Sequence, residues 1–282
     1  MTGEIDITAL KDSIGRSTII DDVVTVGAVA RFLSALDDTG PVATGDPVPP
    51  LFHFCLALPV TATLDLGADG HPANATPAHP DGLPRRMWAG GSVQVRHPIR
   101  VGDAVQRRSA IVDVAVKRGR SGPLCLVTVE HKIETENAVA ILERQNVVFL
   151  AARSATTAPH VLVPADTGAQ TMKRNIRADA KMLFRYSALT FNAHRIHYDR
   201  PYATDVEGYP GLVVHGPLQA TCLCHFARDI GGAIPSEFVY RARAPLFAPA
   251  DIALHAEEGT NGLKLWTATP GEGVGMEATA IW

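Results

Sequence analysis

The chain has little of what marks a secreted, membrane-spanning or nucleic-acid-binding protein. Its 282 residues include four cysteines, Cys55, Cys125, Cys222 and Cys224. They are too few and too scattered for the disulfide framework of a small secreted domain. No apolar run approaches the length that spans a bilayer, and the first residues carry acids where a signal peptide carries basic residues. These absences predict a cytoplasmic protein that has no signal peptide and no membrane partner.

A large excess of charge of either sign is also missing. Lysine and arginine number 26, aspartate and glutamate number 29, and the net charge is -3. Because nucleic-acid binders need a basic surface to neutralise phosphates, nucleic acid is not an expected partner. Hydrophobic residues make up 46% of the chain. A chain of this length and composition can bury a sizeable core, in one large domain or two ordinary ones.

Two short segments carry the chemistry that is present. Residues 191–199 read FNAHRIHYD, and residues 214–218 read VHGPL. Proline suits the first position of a helix, so Gly216 would lie at a helix N-terminus, where backbone amides bind anions. Histidine exchanges protons near neutral pH. The two segments therefore predict an enzyme that transfers protons and stabilises an oxyanion.

The order of the remaining elements repeats. In the first half, Thr25 caps a predicted helix that ends near Asp38, and strands follow at 106–117, 124–134 and 138–150. In the second half, a strand at 172–187 and a helix at 217–229 precede strands at 237–244, 251–257, 263–268 and 276–282. Residues 154–170, rich in Ala, Thr and Pro, form the predicted linker between domains at 1–153 and 171–282. The pattern predicts an α+β protein with a tandem hot-dog arrangement, in which antiparallel sheets each wrap a central helix.

Several motifs of this chain resemble those of a known family. The segment FNAHRIHYD, with Tyr202 and Ala203 after it, resembles the Gly-Asp-x-Asn-Pro-x-His-x-Asp signature of MaoC-like enoyl-thioester hydratases. Val214, His215 and Gly216 resemble the Ala-His-Gly segment of the same family. Together with RMWAGG at 86–91, the resemblance covers nearly the whole chain. It is closest to the double hot-dog subgroup of hydroxyacyl-thioester dehydratase type 2, mesaconyl-CoA hydratase and itaconyl-CoA hydratase.

This chain departs from the family signature at positions that affect the chemistry. When the two are aligned on His197, the glycine of the signature falls on Phe191, its catalytic aspartate on Asn192, its asparagine on His194 and its proline on Arg195. A side-chain amide takes no proton at ordinary pH. The division of acid and base work between two residues therefore does not carry over directly.

The resemblance and the residues together imply a set of roles for hydration of an α,β-unsaturated acyl-CoA, or dehydration of the hydroxyacyl product. His197 is the acid/base, Asn192 positions the water and the Gly216 amide receives the thioester oxygen. The predicted supporting residues are His194, Asp199 and His215, and the predicted substrate-binding residues are Arg195, Trp88 and Arg86. A short acyl group with a second carboxylate is implied, and Arg195 could grip that carboxylate in a fork. The first domain is expected to shape the acyl channel without taking part in the chemistry.

Other interpretations of the same residues stay open. Asn192 could be a turn residue, Arg195 a solvated loop residue, and Gly216 a requirement of backbone geometry. A metal site built from His194, His197, Asp199 and His215 competes with the acid/base site, although neither a metal nor a cofactor is expected beyond the CoA of the substrate. Competing functions are a 3-hydroxyacyl-ACP dehydratase, a hot-dog acyl-CoA thioesterase and a non-catalytic acyl-CoA-binding protein. A homo-oligomer is possible, and residues 67–84 are a hypothetical flexible lid.

Overall fold

The computed structural model describes residues 6–73, 77–119, 122–136, 138–151, 171–270 and 273–282. The strands of the first half are β1 (Ser17–Val23), β2 (Arg85–Val95), β3 (Ala104–Gly119), β4 (Gly122–Thr135) and β5 (Val139–Leu150). Those of the second half are β6 (Met172–Ala178), β7 (Leu212–Val213), β8 (Glu237–Ala242), β9 (Phe247–Ala248), β10 (Ala250–Gly259), β11 (Gly262–Thr269) and β12 (Gly273–Ile281). The helices are α1 (Thr8–Asp12), α2 (Val26–Ala35), α3 (Ala180–Leu189) and α4 (Gly216–Gly231).

Ten of these strands form one continuous antiparallel sheet, in the order β1-β3-β4-β5-β2-β8-β12-β11-β10-β6. The five strands before residue 151 lie on one side, and five strands after residue 171 lie on the other. The two sets meet where β2 pairs with β8, with Gly91 opposite Tyr240. Strands β7 and β9 form a separate two-stranded ribbon. The two halves of the chain therefore share one sheet, and the junction of the halves lies near its middle.

The long helix α4 is the most buried element. Every residue from Leu218 to Ala227 is buried, so the helix is enclosed on all sides. Pro217 lies in its first turn and Gly232 ends it with φ of 71°, a left-handed conformation that favours glycine. These ends confirm the helix predicted at 217–229 to within two residues. In the first half, the 3₁₀ turn Phe52–Cys55 adds Phe52 and Phe54 to the same core, and α2 adds Val29 and Phe32.

Most of the other predicted elements are confirmed. Thr25 caps α2, with its hydroxyl oxygen accepting a 3.1 Å hydrogen bond from the Ala28 amide. The three strands predicted in the first half correspond to β3, β4 and β5, and the last four correspond to β8, β10, β11 and β12. The predicted linker at 154–170 lies outside the described residues. Among the described residues, no helix has the length and apolar character needed to cross a membrane.

The strand predicted at 172–187 was wrong in its second part. Strand β6 ends at Ala178, and the Asp179 carboxylate accepts hydrogen bonds from the amides of Lys181 and Met182. This is an N-cap, and it starts helix α3. Helix α3 buries Leu183, Tyr186 and Ser187, a spacing that suits one helix face and not a strand. The correction matters because α3 leads directly into the polar loop at 190–199.

Candidate active site

The loop after α3 is shaped by local hydrogen bonds. Phe191 takes a left-handed conformation with φ of 49°. The Asn192 amide donates to the Ser187 carbonyl over 2.8 Å, and the Asn192 Oδ1 atom accepts from the His194 amide over 3.0 Å. Asn192 is therefore a turn residue, as one interpretation of the sequence had it. Its side-chain NH₂ group is the part left to hold a water molecule.

His197 is fixed in a defined tautomer. Its Nδ1 lies 2.7 Å from the Val213 carbonyl oxygen, and a carbonyl can only accept, so Nδ1 carries the proton. The Nε2 atom is then the basic one. The ring stacks on His215 with centroids 3.6 Å apart, and a 2.8 Å hydrogen bond joins His215 Nε2 to the buried Ser187 hydroxyl. Burial lowers the pKa of His197 to about 4, so it is a neutral imidazole at neutral pH.

Gly216 follows His215 directly and starts α4. The first amides of a helix have no acceptor within the helix, so they are available to an anionic oxygen. A Cβ atom at Gly216 would lie 2.6 Å from Trp88 Cε3, which leaves no room for a side chain. Trp88 in turn stacks on Tyr240, with centroids 4.5 Å apart. The structure therefore brings Trp88, Gly216, His215 and His197 together, with Trp88 supplied by the first half.

We expect Gly216→Ala to damage this arrangement measurably. The added methyl group must displace Trp88 or the start of α4, and overpacking of this kind costs about 1–3 kcal/mol of unfolding free energy. Urea denaturation measures the loss, and Trp88→Phe in the same chain should recover part of it. Gly40→Ala is the control, because its Cβ would have no neighbour closer than 3.5 Å. Equal stability of the Gly216 and Gly40 variants would contradict the expected clash with Trp88.

Arg195 and Asp199 form an ion pair within the loop. Both Nε and Nη2 of Arg195 donate to Asp199 Oδ2, over 3.0 and 2.7 Å, and the guanidinium lies over the Tyr202 ring. Asp199 Oδ1 accepts from the Tyr202 amide. In the described contacts Asp199 thus binds Arg195, not a histidine. The predicted grip of Arg195 on a substrate carboxylate would have to compete with this ion pair.

Sequence reasoning missed two residues of the first half that lie at this loop. Asp69 accepts from both the His71 amide and His71 Nδ1, each over 3.0 Å, and the His71 ring lies 4.1 Å from the ring of His194. His194 itself is 5.4 Å from His197, again between ring centroids. Both new residues fall in the segment predicted as a flexible lid. No spacing signal places them at this loop, because His194 and Arg195, which they contact there, lie more than 120 residues further along the chain.

The structure separates the ligand set of the predicted metal site. His197 Nδ1 is bonded to Val213, His215 Nε2 to Ser187, and Asp199 to Arg195. A different trio, Asp69, His71 and His194, offers donor atoms that lie within 4.8 Å of one another. Since the Asp69 carboxylate already accepts two hydrogen bonds from His71, this geometry is accounted for by protein contacts, and we assign no metal to it.

Behind Trp88 and Tyr240 lies a buried charged cluster in the first half. The Glu143 carboxylate accepts hydrogen bonds from Gln145 Nε2 over 2.8 Å and from the Tyr240 hydroxyl over 3.3 Å. His53 Nε2 lies 3.3 Å from its other oxygen. A Cβ at Gly91 would lie 2.6 Å from the Tyr240 hydroxyl, so glycine there leaves Tyr240 space to reach Glu143. The cluster holds the tyrosine on which Trp88 stacks.

The comparisons with known proteins show the family of the chain. The family model of hydroxyacyl-thioester dehydratase type 2 matches residues 51–248. Mesaconyl-C(4)-CoA hydratase of Chloroflexus aurantiacus is 39% identical over 273 residues, covering 94% of this chain and 95% of the relative. The chain belongs to the hydroxyacyl-thioester dehydratase type 2 family.

Solved structures show the same fold as this family member. HtdX of Mycobacterium tuberculosis has a TM-score of 0.66 at 21% identity, covering 94% of this chain and 98% of that one. Another protein of that organism, Rv0216, described as having a double hotdog fold, has a TM-score of 0.55 at 12% identity and covers 96% and 97%. The chain is therefore a hydratase or dehydratase of acyl thioesters, which is a hydro-lyase, with a double hot-dog fold.

Buried neutral histidines give this family member a predictable response to acid. Burial lowers the pKa of His197 and His225 to about 4, and that of His131 to about 3. In the unfolded chain each binds a proton near pH 6.5, so their contribution to stability is complete above that pH and falls as the pH drops towards 4. Each of these histidines should lower the free energy of unfolding by about 2 kcal/mol at pH 5 relative to neutral pH.

Urea denaturation between pH 7.5 and 5 measures this loss. In His225→Gln the slope of unfolding free energy against pH should be shallower by about one proton. This residue bonds the Pro50 carbonyl, away from the candidate active site. A stability that stayed constant down to pH 5 would contradict the account.

Proposed function

We propose that the chain reversibly hydrates the double bond of a short dicarboxylic α,β-unsaturated acyl-CoA such as mesaconyl-CoA or itaconyl-CoA. In the proposed reaction, His197 Nε2 takes a proton from water as the oxygen attacks the β carbon. The Asn192 NH₂ group holds that water, and the Gly216 amide stabilises the enolate oxygen of the thioester. The observation that supports these roles best is the stack of His197 on His215, the residue directly before Gly216.

Mesaconyl-CoA is favoured by the relative at 39% identity, whose name gives that substrate. Binding the second carboxylate of such a substrate requires a cationic side chain, and Arg195 is already paired with Asp199. We therefore favour Arg86, two residues before Trp88 on β2, whose guanidinium makes no hydrogen bond to a described residue. Burial lowers the pKa of Arg86 and the nearby Asp69 raises it, so an incoming carboxylate would relieve an unfavourable environment.

Incubation with crotonyl-, mesaconyl- and itaconyl-CoA tests this function. Hydration removes the ultraviolet absorbance of the conjugated thioester without releasing thiol. Release of thiol would instead show a thioesterase, and binding without either change would show a carrier or sensor. Activity confined to 3-hydroxyacyl-ACP would indicate the dehydratase of fatty-acid synthesis.

Arg86→Gln tests the proposed carboxylate contact. It should raise KM for mesaconyl-CoA at least tenfold and leave KM for crotonyl-CoA unchanged. The loss reflects one charge-assisted hydrogen-bond pair, worth roughly 1.5–3 kcal/mol. Equal effects on both substrates would contradict a contact with the second carboxylate.

The four described cysteines are free, and we propose the cytoplasm as the compartment.

A further inference from the structure

Hydration of an alkene moves two protons, and the residues discussed so far account for one. The attacking water loses a proton to His197, and the α carbon must gain one. Asn192 stands where the family signature has an aspartate, but an amide exchanges no proton at ordinary pH. Its oxygen is also occupied by the His194 amide. A second titratable group near His197 would let the α carbon be protonated by a group other than the one that deprotonates the water.

The loop that carries Asp69 and His71 is held firmly against the catalytic loop. The Arg195 amide donates to the Asp69 carbonyl over 2.8 Å, and Arg195 Nη1 donates to the Ala68 carbonyl over 2.9 Å. Gly70 is buried, and a Cβ there would lie 1.8 Å from the Ala193 carbonyl oxygen. The backbones approach so closely that only glycine fits. The first half of the chain thus delivers His71 to a fixed place beside residues 193–195.

Asp69 fixes the tautomer of His71. The hydrogen bond from Nδ1 to the carboxylate leaves Nε2 as the atom that can exchange a proton. The carboxylate also balances the charge of His71 once that ring is protonated. Burial raises the pKa of Asp69, but the hydrogen bonds from His71 outweigh burial and hold that pKa below its ordinary value. Asp69 is therefore ionised at neutral pH. The arrangement is an aspartate–histidine pair of the kind that orients acid/base histidines.

Of the three neighbouring rings, His71 is suited to carry the second proton. The His194 ring neighbours both His71 and His197, but burial and these two histidines lower the pKa of His194 to about 2. It therefore stays neutral. The His71 side chain keeps 21% of its surface exposed, which allows it to exchange protons with water. His194 packs against both of the other rings.

We propose that His71, oriented by Asp69, donates the proton that the α carbon receives in hydration. This inference rests on the proposed function. The water O–H bond breaks, its proton goes to His197 Nε2, and the C–O bond forms at the β carbon. The π electrons pass into the enolate held by Gly216 and return to form the α C–H bond as His71 Nε2–H breaks. His197 has then gained one proton and His71 has lost one, and exchange with water restores both.

His71→Ala tests the inference through chemical rescue. We expect kcat for hydration to fall by about 10²–10⁴-fold, the usual contribution of a general acid, with KM changed less than threefold. Added imidazole should restore part of the rate, because it can occupy the space of the lost ring, which opens to solvent. Asp69→Asn keeps the hydrogen bond from the His71 amide but removes the charge, and kcat should fall about tenfold. His79→Ala, an exposed histidine of the same segment, is the matched control and should retain full activity.

The outcomes separate this inference from the function on which it rests. If the unaltered protein hydrates enoyl-CoA and His71→Ala does so within threefold of it, the inference is wrong and the function stands. A loss that imidazole does not restore, or one confined to KM, would also overturn it. So would loss of activity after chelation and recovery with Zn²⁺, since His71 would then be a ligand. If the unaltered protein hydrates no enoyl-CoA, both fail together.

Discussion

His197→Gln is expected to lower kcat/KM for an enoyl-CoA by about 10³-fold, within the range found for general bases. Glutamine can still donate from its amide to the Val213 carbonyl and pack against His215, so the fold should persist. What it removes is Nε2, the only atom of residue 197 that can take a proton from water. The loss should appear in kcat, because the proton moves in the transition state and not in the bound ground state.

The pH profile gives a second readout of the same residue. A base must be unprotonated, and burial lowers the pKa of His197 to about 4. The acid limb of kcat/KM should therefore lie well below pH 6.5, when assays are started by brief dilution into acid before unfolding occurs. His225→Gln removes another buried histidine and should keep normal activity at neutral pH. Turnover of His197→Gln within threefold of the unaltered protein would disprove the assignment of the base.

Glu143→Ala is expected to lower the free energy of unfolding by about 3–5 kcal/mol, the cost of removing one partner of a buried ion cluster. Glu143 is 1% exposed, and its titratable neighbours are Arg107, His53 and His131. Without the carboxylate, the partly buried Arg107 loses its compensating charge, and Tyr240 loses an acceptor. Because Tyr240 supports Trp88, which packs on Gly216, kcat should fall as well.

Urea denaturation at pH 7.5 with two further variants isolates the effect of burial. Glu143→Gln keeps an oxygen for Tyr240 and Gln145, so its loss of stability should be smaller. Glu130→Ala removes a carboxylate whose partner Arg144 is 59% exposed, and it should cost about 1 kcal/mol or less. If the Glu143 and Glu130 variants were equally stable, the buried cluster would have no special role.

Local sequence signals predicted a large part of the fold. Pro217 and the following glycines marked helix α4, Thr25 marked helix α2, and runs of β-branched residues marked the strands around β4. Helix α3 was missed because a strand was extended through Asp179, whose capping role depends on the two amides that follow it. The single sheet through β2 and β8 had no local signal, since that pairing joins residues about 150 positions apart.

The candidate site residues that could be predicted from the sequence were those at motif positions. His197, His194, Asn192 and Gly216 came from motif positions, and the structure places the histidines within one cluster. The partners of the charged residues were not predictable in the same way. Asp199 binds Arg195 within its own loop, while His194 meets His71 from the first half. Contacts of the second kind depend on how the two halves pack, which no short motif reports.

The most direct test of the account is a crystal structure with the hydrated product, a 3-hydroxyacyl-CoA. We expect its thioester oxygen about 2.7–3.1 Å from the Gly216 amide nitrogen and its β-hydroxyl oxygen about 2.6–3.2 Å from His197 Nε2. A thioester bound away from the start of α4, or a hydroxyl facing away from His197, would contradict the account.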